Sequence, residues 1–319
     1  MKTVLITKQI PQAGIDLLSE KGYQVIVGDE DFSLAETSSI SGLKNIDALI
    51  TLLSDPVDKK MIDSTPNLKI IANYAVGYNN IDIDYAASKG IFVTNTPDVL
   101  TNATADLTWA LILAVSKRIV ESDQFMRNRL FTGWQPMLML GGDVTGKTLG
   151  IIGAGRIGQA VARRAKGFEM NILYSGRSRK EKFEKETGAK KVTLEELLKQ
   201  SDFISLHCPL TPETRHLINR NNISLMKKSA YLINTSRGPV VEEEALTMAL
   251  KEKNITGAGL DVYEFEPEVN EELYKLNNVV LLPHVGSGTH ETRAEMSRIA
   301  ARNVISVLET GQPLHQVNR

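Results

Sequence analysis

Short apolar runs alternate with segments whose apolar residues recur at helical spacing along almost the whole chain. Short apolar runs at residues 3–6, 23–27, 48–51, 70–73 and 91–94 read as strands. Between them, residues 15–21, 59–64 and 83–89 read as amphipathic helices, and Gly22 and Gly90 stand where a glycine ends a helix. Such alternation predicts a parallel sheet. A long helix is expected over 101–120, with Thr101 or Asn102 as its cap. Residues 129–148 are irregular, broken by Gly133, Pro136, Gly141, Gly142 and Gly146. This arm carries Phe131, Trp134, Met137, Leu138, Met139 and Leu140, apolar surface that needs cover from its own domain or from a second copy.

From Leu149 the alternation resumes. Strands are expected at 149–152, 170–174, 203–206, 230–234, 256–260 and 279–282, with helices at 155–166, 193–200, 219–226, 241–252 and 287–309. Six strands with intervening helices make a second doubly wound unit. The mixed charges of residues 178–187 read as a solvated helix face. The last helix is long for a terminal cap and is expected to return to the first domain. The division is then 1–100 completed by 287–319, and 101–286.

Composition narrows the class. With 42% hydrophobic and 24% charged residues in 319, the chain is an ordinary globular protein of about two domains. Lys+Arg (37) and Asp+Glu (38) nearly cancel, so neither nucleic acid nor a membrane surface is an expected partner. The single cysteine, Cys208, excludes an intrachain disulfide and fits a reducing cytoplasm. No apolar run is long enough to span a bilayer.

The most informative chemistry lies at Leu149–Gly158, L-G-I-I-G-A-G-R-I-G. A strand runs into Gly153-Ala154-Gly155-Arg156-Ile157-Gly158 and then a helix, the setting in which G-x-G-x-x-G cradles a dinucleotide pyrophosphate at a helix N-terminus. An NAD site carries Asp or Glu about 20 residues after the first glycine. Here that position holds Ser175, followed by Arg177, Ser178 and Arg179. A small residue beside two guanidinium forks suits a 2′-phosphate, so NADP(H) is expected over NAD(H); the bland alternative is two arginines solvating a loop. Three later strand ends hold Asn234-Thr235-Ser236-Arg237, Asp261 to Pro267 with Glu264 and Glu266, and Pro283-His284-Val285-Gly286. Ligands bind beyond the carboxyl ends of such strands. A His there can protonate a carbonyl oxygen, a carboxylate paired to it favours the imidazolium, and an Arg can hold a substrate carboxylate. No H-E-x-x-H or paired-cysteine spacing suggests a metal, and no G-x-S-x-G suggests a hydrolase. Asp82 and Asp84 read as helix-capping residues.

With those motifs, Asn73 to Asp82, Asn95-Thr96-Pro97 and His207-Cys208-Pro209-Leu210-Thr211, nearly the whole chain resembles the D-isomer-specific 2-hydroxyacid dehydrogenases. Its Tyr174-Ser175-Gly176-Arg177 and Gly133-Trp134 stretches are similar to the glyoxylate/hydroxypyruvate reductase branch. The resemblance implies an α/β architecture: a Rossmann cofactor domain and a flavodoxin-like substrate domain with a cleft between them that closes on substrate. It implies that Arg237 binds the keto acid, His284 donates the proton and Glu266, rather than its rival Glu264, supports His284. Val76 and Gly77 would offer N–H groups to the substrate carboxylate, and Ser287 would join them. Asp261 would hold the nicotinamide carboxamide, with Thr104 nearby. Pro209, Thr235 and Gly286 would line the cofactor, together with Arg156, Ile157, His207, Cys208, Thr214, Ser236 and His284.

The implied activity is NADPH-dependent reduction of glyoxylate to glycolate and of hydroxypyruvate to D-glycerate by a homodimer. The alternatives are a relative acting on 2-ketogluconate or another 2-hydroxy acid, and a dinucleotide-sensing protein like the corepressors of this fold. One departure is the Met137-Leu138-Met139 stretch, where relatives of this branch can carry a Trp.

Overall fold

Strands whose residues are apolar at every position can be stable only where both faces of a sheet are covered. The central strands of both halves are buried in this way, whereas the edge strands at residues 24–27 and 190–191 are partly or fully exposed. The computed structural model describes residues 1–29, 31–34 and 41–318, and the chain divides into two units, residues 1–100 with 287–319 and residues 101–286.

The first unit begins β1 (Thr3–Ile6), α1 (Gln12–Glu20), β2 (Gln24–Val27), β3 (Ala48–Thr51), α2 (Lys59–Asp63), β4 (Ile70–Asn73), α3 (Ile83–Ser88) and β5 (Phe92–Thr94). Its strands pair in parallel in the order β2-β1-β3-β4-β5, the flavodoxin-like arrangement. Alternate residues feed two cores. Val4, Ile6, Ile50 and Ile70 enter one; Leu5, Leu49 and Ile71 enter the other. Asp58 and Asp82 cap α2 and α3 by accepting the Met61 and Tyr85 N–H groups.

The second unit runs through α4 (Thr101–Ser116), α5 (Ile119–Arg127), β6 (Thr148–Ile152), α6 (Arg156–Ala165), β7 (Asn171–Ser175), α7 (Glu181–Thr187), β8 (Lys190–Lys191), α8 (Leu194–Gln200), β9 (Phe203–Leu206), α9 (Arg220–Ile223), β10 (Tyr231–Asn234), α10 (Glu243–Lys251), β11 (Gly257–Leu260) and β12 (Val279–Leu281). The parallel order β12-β11-β10-β9-β6-β7-β8 is the Rossmann order with one strand added beyond β11, and its switch point lies between β6 and β9. The short edge strand β8 makes seven strands where the sequence predicts six.

Three other expectations need correction. The helix expected over 101–120 is two helices. Arg118 takes a left-handed conformation at φ 54°, and its guanidinium turns onto Glu121 of the new helix. Lys117 and Arg118 are good helix formers, so the pattern hides the break. Thr101 and Asn102 lie inside α4 rather than capping it. The helix expected over 219–226 is the single turn α9, stopped after Ile223.

Helix α5 buries no residue, and in the following arm Trp134 is 82% and Met137 77% exposed. The arm therefore does not cover its own apolar surface. The last helix, α11 (His290–Thr310), returns to the first unit, where Met296, Ala300, Val304 and Val307 complete the core around Val4 and Ile6. Ser297 Oγ donates to the Pro11 carbonyl (2.7 Å) and accepts from the Gly14 N–H (3.0 Å). At the tail, Asn318 accepts from the Val93 N–H and donates to the Ile91 carbonyl, both at 2.8 Å.

Candidate active site

Register brings the three polar loops of the second unit together. Asn234 pairs with Leu260, and Leu260 with Leu281, so β10, β11 and β12 end level. Arg237, the 261–267 loop and His284 therefore leave the sheet at one carboxyl edge. Asn234 shapes the first turn: its Oδ1 accepts from the Ser236 N–H and hydroxyl, and its Nδ2 donates to the Arg237 carbonyl. Gly238 is required next. A Cβ there would lie 1.7 Å from the Tyr263 carbonyl oxygen, so the Arg237 turn rests directly on the 261–267 loop.

His284 Nδ1 lies 2.8 Å from Glu266 Oε2, and Glu266 Oε1 accepts from the Tyr263 N–H (3.0 Å). This decides between the two rival carboxylates: Glu264 instead meets His216. Burial alone would raise the Glu266 pKa. The His284 hydrogen bond and charge, the Tyr263 N–H and Arg237 outweigh it and hold the carboxyl below the usual range. Burial draws the Arg237 guanidinium below its usual value, against the pull of Glu266. Its Nη1 donates to the Ser236 carbonyl (2.7 Å). Asp261, buried at the foot of the loop, accepts from the Val285 N–H (2.7 Å). Burial raises its pKa, opposed by that N–H and by His284. The Arg237, Tyr263, Phe265, Pro267 and His284 side chains line an open groove of about 510 Å³. The arrangement offers a cation for a carboxylate, and an imidazole whose Nδ1 is engaged, leaving Nε2 to exchange a proton.

The glycine loop fits a dinucleotide. Gly153 is left-handed (φ 94°), and a Cβ on it would strike the Cys208 N–H at 2.6 Å, whereas a Cβ on Gly155 would enter open space. That open space is the approach a pyrophosphate needs. On Gly158 a Cβ would lie 2.3 Å from the Gly153 carbonyl. Arg156, Ile157 and Gly158 open α6. Ser175 ends β7 and accepts the Gly153 N–H through its carbonyl. Thr104 is buried on α4; its carbonyl accepts from Thr108, whose hydroxyl lies 2.9 Å from that of Thr235. A Cβ on Gly286 would stand 3.2 Å from Asp261 Oδ2. His207 follows β9; burial holds it neutral, with its pKa lowered to about 3. Its Nε2 meets Ser205, while its buried Nδ1 has no partner among the described residues. Burial also raises the half-buried Cys208 thiol to about 11.

Some expected contacts have other partners. Arg179, expected to be a fork open to a phosphate, is paired with Glu184: Nε and Nη2 lie 2.9 and 2.8 Å from Oε2, and the Tyr174 hydroxyl donates to Oε1 (2.6 Å). Arg177 and Ser178 are exposed on the same loop. Thr214 donates to the carbonyl of exposed Pro209 and accepts from the Thr211 N–H, closing that turn.

Val76, Gly77 and Ser287 belong to the first unit. Asn95 and Asn73 donate to the Val76 and Gly77 carbonyls. Sequence reasoning did not find Asn234, Thr108, Tyr263 or Glu184. The Asn-x-Ser-Arg spacing of an Asx turn was the signal for the first; the others depend on distant contacts.

Comparison with known proteins shows what the chain is similar to. Residues 109–286 match the NAD binding domain of the D-isomer specific 2-hydroxyacid dehydrogenases. The chain is 53% identical over 320 residues to the glyoxylate reductase of Thermococcus litoralis, covering 99% of this chain and 96% of that protein. An NADPH-dependent glyoxylate/hydroxypyruvate reductase from Sinorhizobium meliloti, solved with NADP and malonate, superimposes with a TM-score of 0.89 at 32% identity, covering 99% and 96% of the two chains. The D-lactate dehydrogenase of Aquifex aeolicus, solved with NAD and lactic acid, gives 0.83 at 31% identity over 97% and 96%.

Proposed function

Because the chain belongs to the D-isomer specific 2-hydroxyacid dehydrogenases, we propose that it reduces small 2-keto acids with NADPH, glyoxylate and hydroxypyruvate foremost. The observation that carries this reading is the 2.8 Å contact of His284 Nδ1 with Glu266. With Nδ1 so engaged, Nε2 is the nitrogen this reading assigns to the substrate. In this reading the Arg237 guanidinium holds the oxoacid. His284 Nε2 gives its proton to the ketone oxygen, and Glu266 stabilises the imidazolium before transfer. A reduced nicotinamide, when bound, would supply the hydride that turns the keto carbon into that of a 2-hydroxy acid. The glycine loop holds the pyrophosphate, Asp261 the carboxamide, and Ser175 with Arg177 the 2′-phosphate.

Initial rates with NADPH and NADH against glyoxylate, hydroxypyruvate and 2-ketogluconate test the proposal. The expected result is the highest kcat/KM for NADPH with glyoxylate or hydroxypyruvate. Absence of cofactor oxidation with every keto acid would overturn it. The Arg179–Glu184 pair favours a second reading, NAD(H) as working cofactor, since it occupies one of two cations available to a 2′-phosphate. The NADPH/NADH ratio in the same assay decides. The uncovered arm supports a homodimer, checked by sedimentation with Trp134→Glu, which should yield monomers. The single Cys208 fits a cytoplasmic site of action.

A further inference from the structure

Glu266 shares its loop with a second carboxylate, Glu264, whose oxygens are bonded to groups other than His284. The Glu264 side chain is 7% exposed, and its Oε1 accepts from His216 Nε2. Its Oε2 accepts from the Glu243 N–H (3.0 Å) at the start of α10. Buried Glu243 answers in kind: its Oε2 accepts from the Glu264 N–H and its Oε1 from the Asn270 N–H, both at 2.8 Å. Each carboxylate therefore holds the other's backbone, and residues 264–270 are clamped to α10.

His216 extends the clamp to Arg237. Its backbone lies at φ 49°, a region that costs a residue with a Cβ and persists only when its surroundings impose it. The His216 N–H donates to the Pro239 carbonyl (2.8 Å), and the Ile218 N–H to that of Val240 (3.1 Å). Arg215 Nη2, 3.9 Å from Glu264 Oε1, is the further charge against this pair. With the Gly238–Tyr263 contact, residues 215–218, 237–242 and 263–270 form one polar knot, from which both Arg237 and Glu266 emerge. Buried carboxylates are a costly way to hold a loop, and what they add over apolar packing is a single geometry.

We propose that Glu264 and His216 are a positioning pair: they set the separation of Arg237 from Glu266, and through Glu266 the orientation of His284, without touching substrate. This rests on the reading of Arg237, Glu266 and His284 as the reacting groups. The test uses the full chain with Glu264→Ala, Glu264→Gln and His216→Asn, the last because Asn tolerates the left-handed backbone. E264A should lose about 10²-fold in kcat, the scale of a displacement of about 1 Å, while the cofactor dissociation constant holds. E264Q, which can still accept from the Glu243 N–H, should recover about tenfold of that loss, and H216N/E264A should be no worse than E264A.

An independent readout is the His284 imidazole resonance by NMR, assigned by its loss in His284→Gln. It should shift or broaden in E264A and H216N without substrate. If E264A does not fold, E264Q and H216N carry the comparison. A folded E264A with kcat within about twofold of wild type and an unmoved resonance overturns the proposal. So does a loss that follows melting temperature alone, with E264Q no better than E264A. If the unmodified protein reduces no keto acid, the functional reading fails separately and the resonance alone decides this one.

Discussion

The two sheets treat the polar residues at their carboxyl ends differently. At the switch point of the first unit, Asp55 is buried and its Oδ2 accepts from the hydroxyls of Thr7 and Thr51 and from the Leu52 N–H. Asn80 then ties down the Leu52 and Asp55 carbonyls. The network closes upon itself. At the corresponding edge of the second unit, donors are left over: His284 engages one nitrogen, Arg237 makes one hydrogen bond among the described residues, and His207 buries an unpartnered Nδ1. The same parallel architecture thus carries a closed network around Asp55 and one with donors to spare around His284, although the first unit also buries the Thr94 and Thr96 hydroxyls at the end of β5 without a partner among the described residues.

That contrast can be broken most sharply at His284. His284→Gln should lower kcat about 10³-fold, the scale of a lost general acid, with a much smaller effect on cofactor affinity by fluorescence titration. Glu266→Gln should cost about 10²-fold and change the pH profile. Glu266's folded pKa is depressed, so its contribution is complete at neutral pH and disappears only as pH falls through the folded value, below the ordinary carboxylate pKa of about 4.3. The acid limb of kcat/KM should therefore lie below that pH and vanish in the variant; a limb above it would contradict the depressed carboxyl. Ser175→Asp should shift the NADPH/NADH ratio of kcat/KM toward NADH by about tenfold or more, because a new carboxylate repels the 2′-phosphate; an unchanged ratio would remove Ser175 from cofactor choice. Asp55→Ala should leave kcat within about twofold yet cost about 1–3 kcal/mol of stability, since buried Thr7 and Thr51 lose their acceptor. Denaturant unfolding with kinetics would check both, and a large kinetic effect would make the first unit's network more than architecture.

Much of this was legible in the sequence because its causes are local. A buried strand, a glycine turn and a helix are contiguous at Leu149–Gly158, so their order alone announces the cradle. Arg237, Glu266 and His284 each follow an apolar run, and parallel pairing brings such ends to one edge. What spacing could not decide was which of two glutamates on one loop meets His284. Glu264 is drawn away by Glu243 and His216, partners 21 and 48 residues distant. The hold of Glu184 on Arg179 escaped for a similar reason: its anchor, Tyr174, lies on the preceding strand. The break at Arg118 had no local signal, since helix formers run through it.

The interrupted first unit also dictates a timetable for the nascent chain. Residues 101–286 emerge from the ribosome as a self-contained body and can collapse at once. The sheet begun by the first hundred residues must wait, half covered, for α11 to supply Met296, Ala300 and Val304, and for Asn318 to fasten onto the strand ending at Thr94. The N-terminal residues are made first and completed last, so a frameshift or nick in the final thirty residues would strip the older sheet while sparing the younger one.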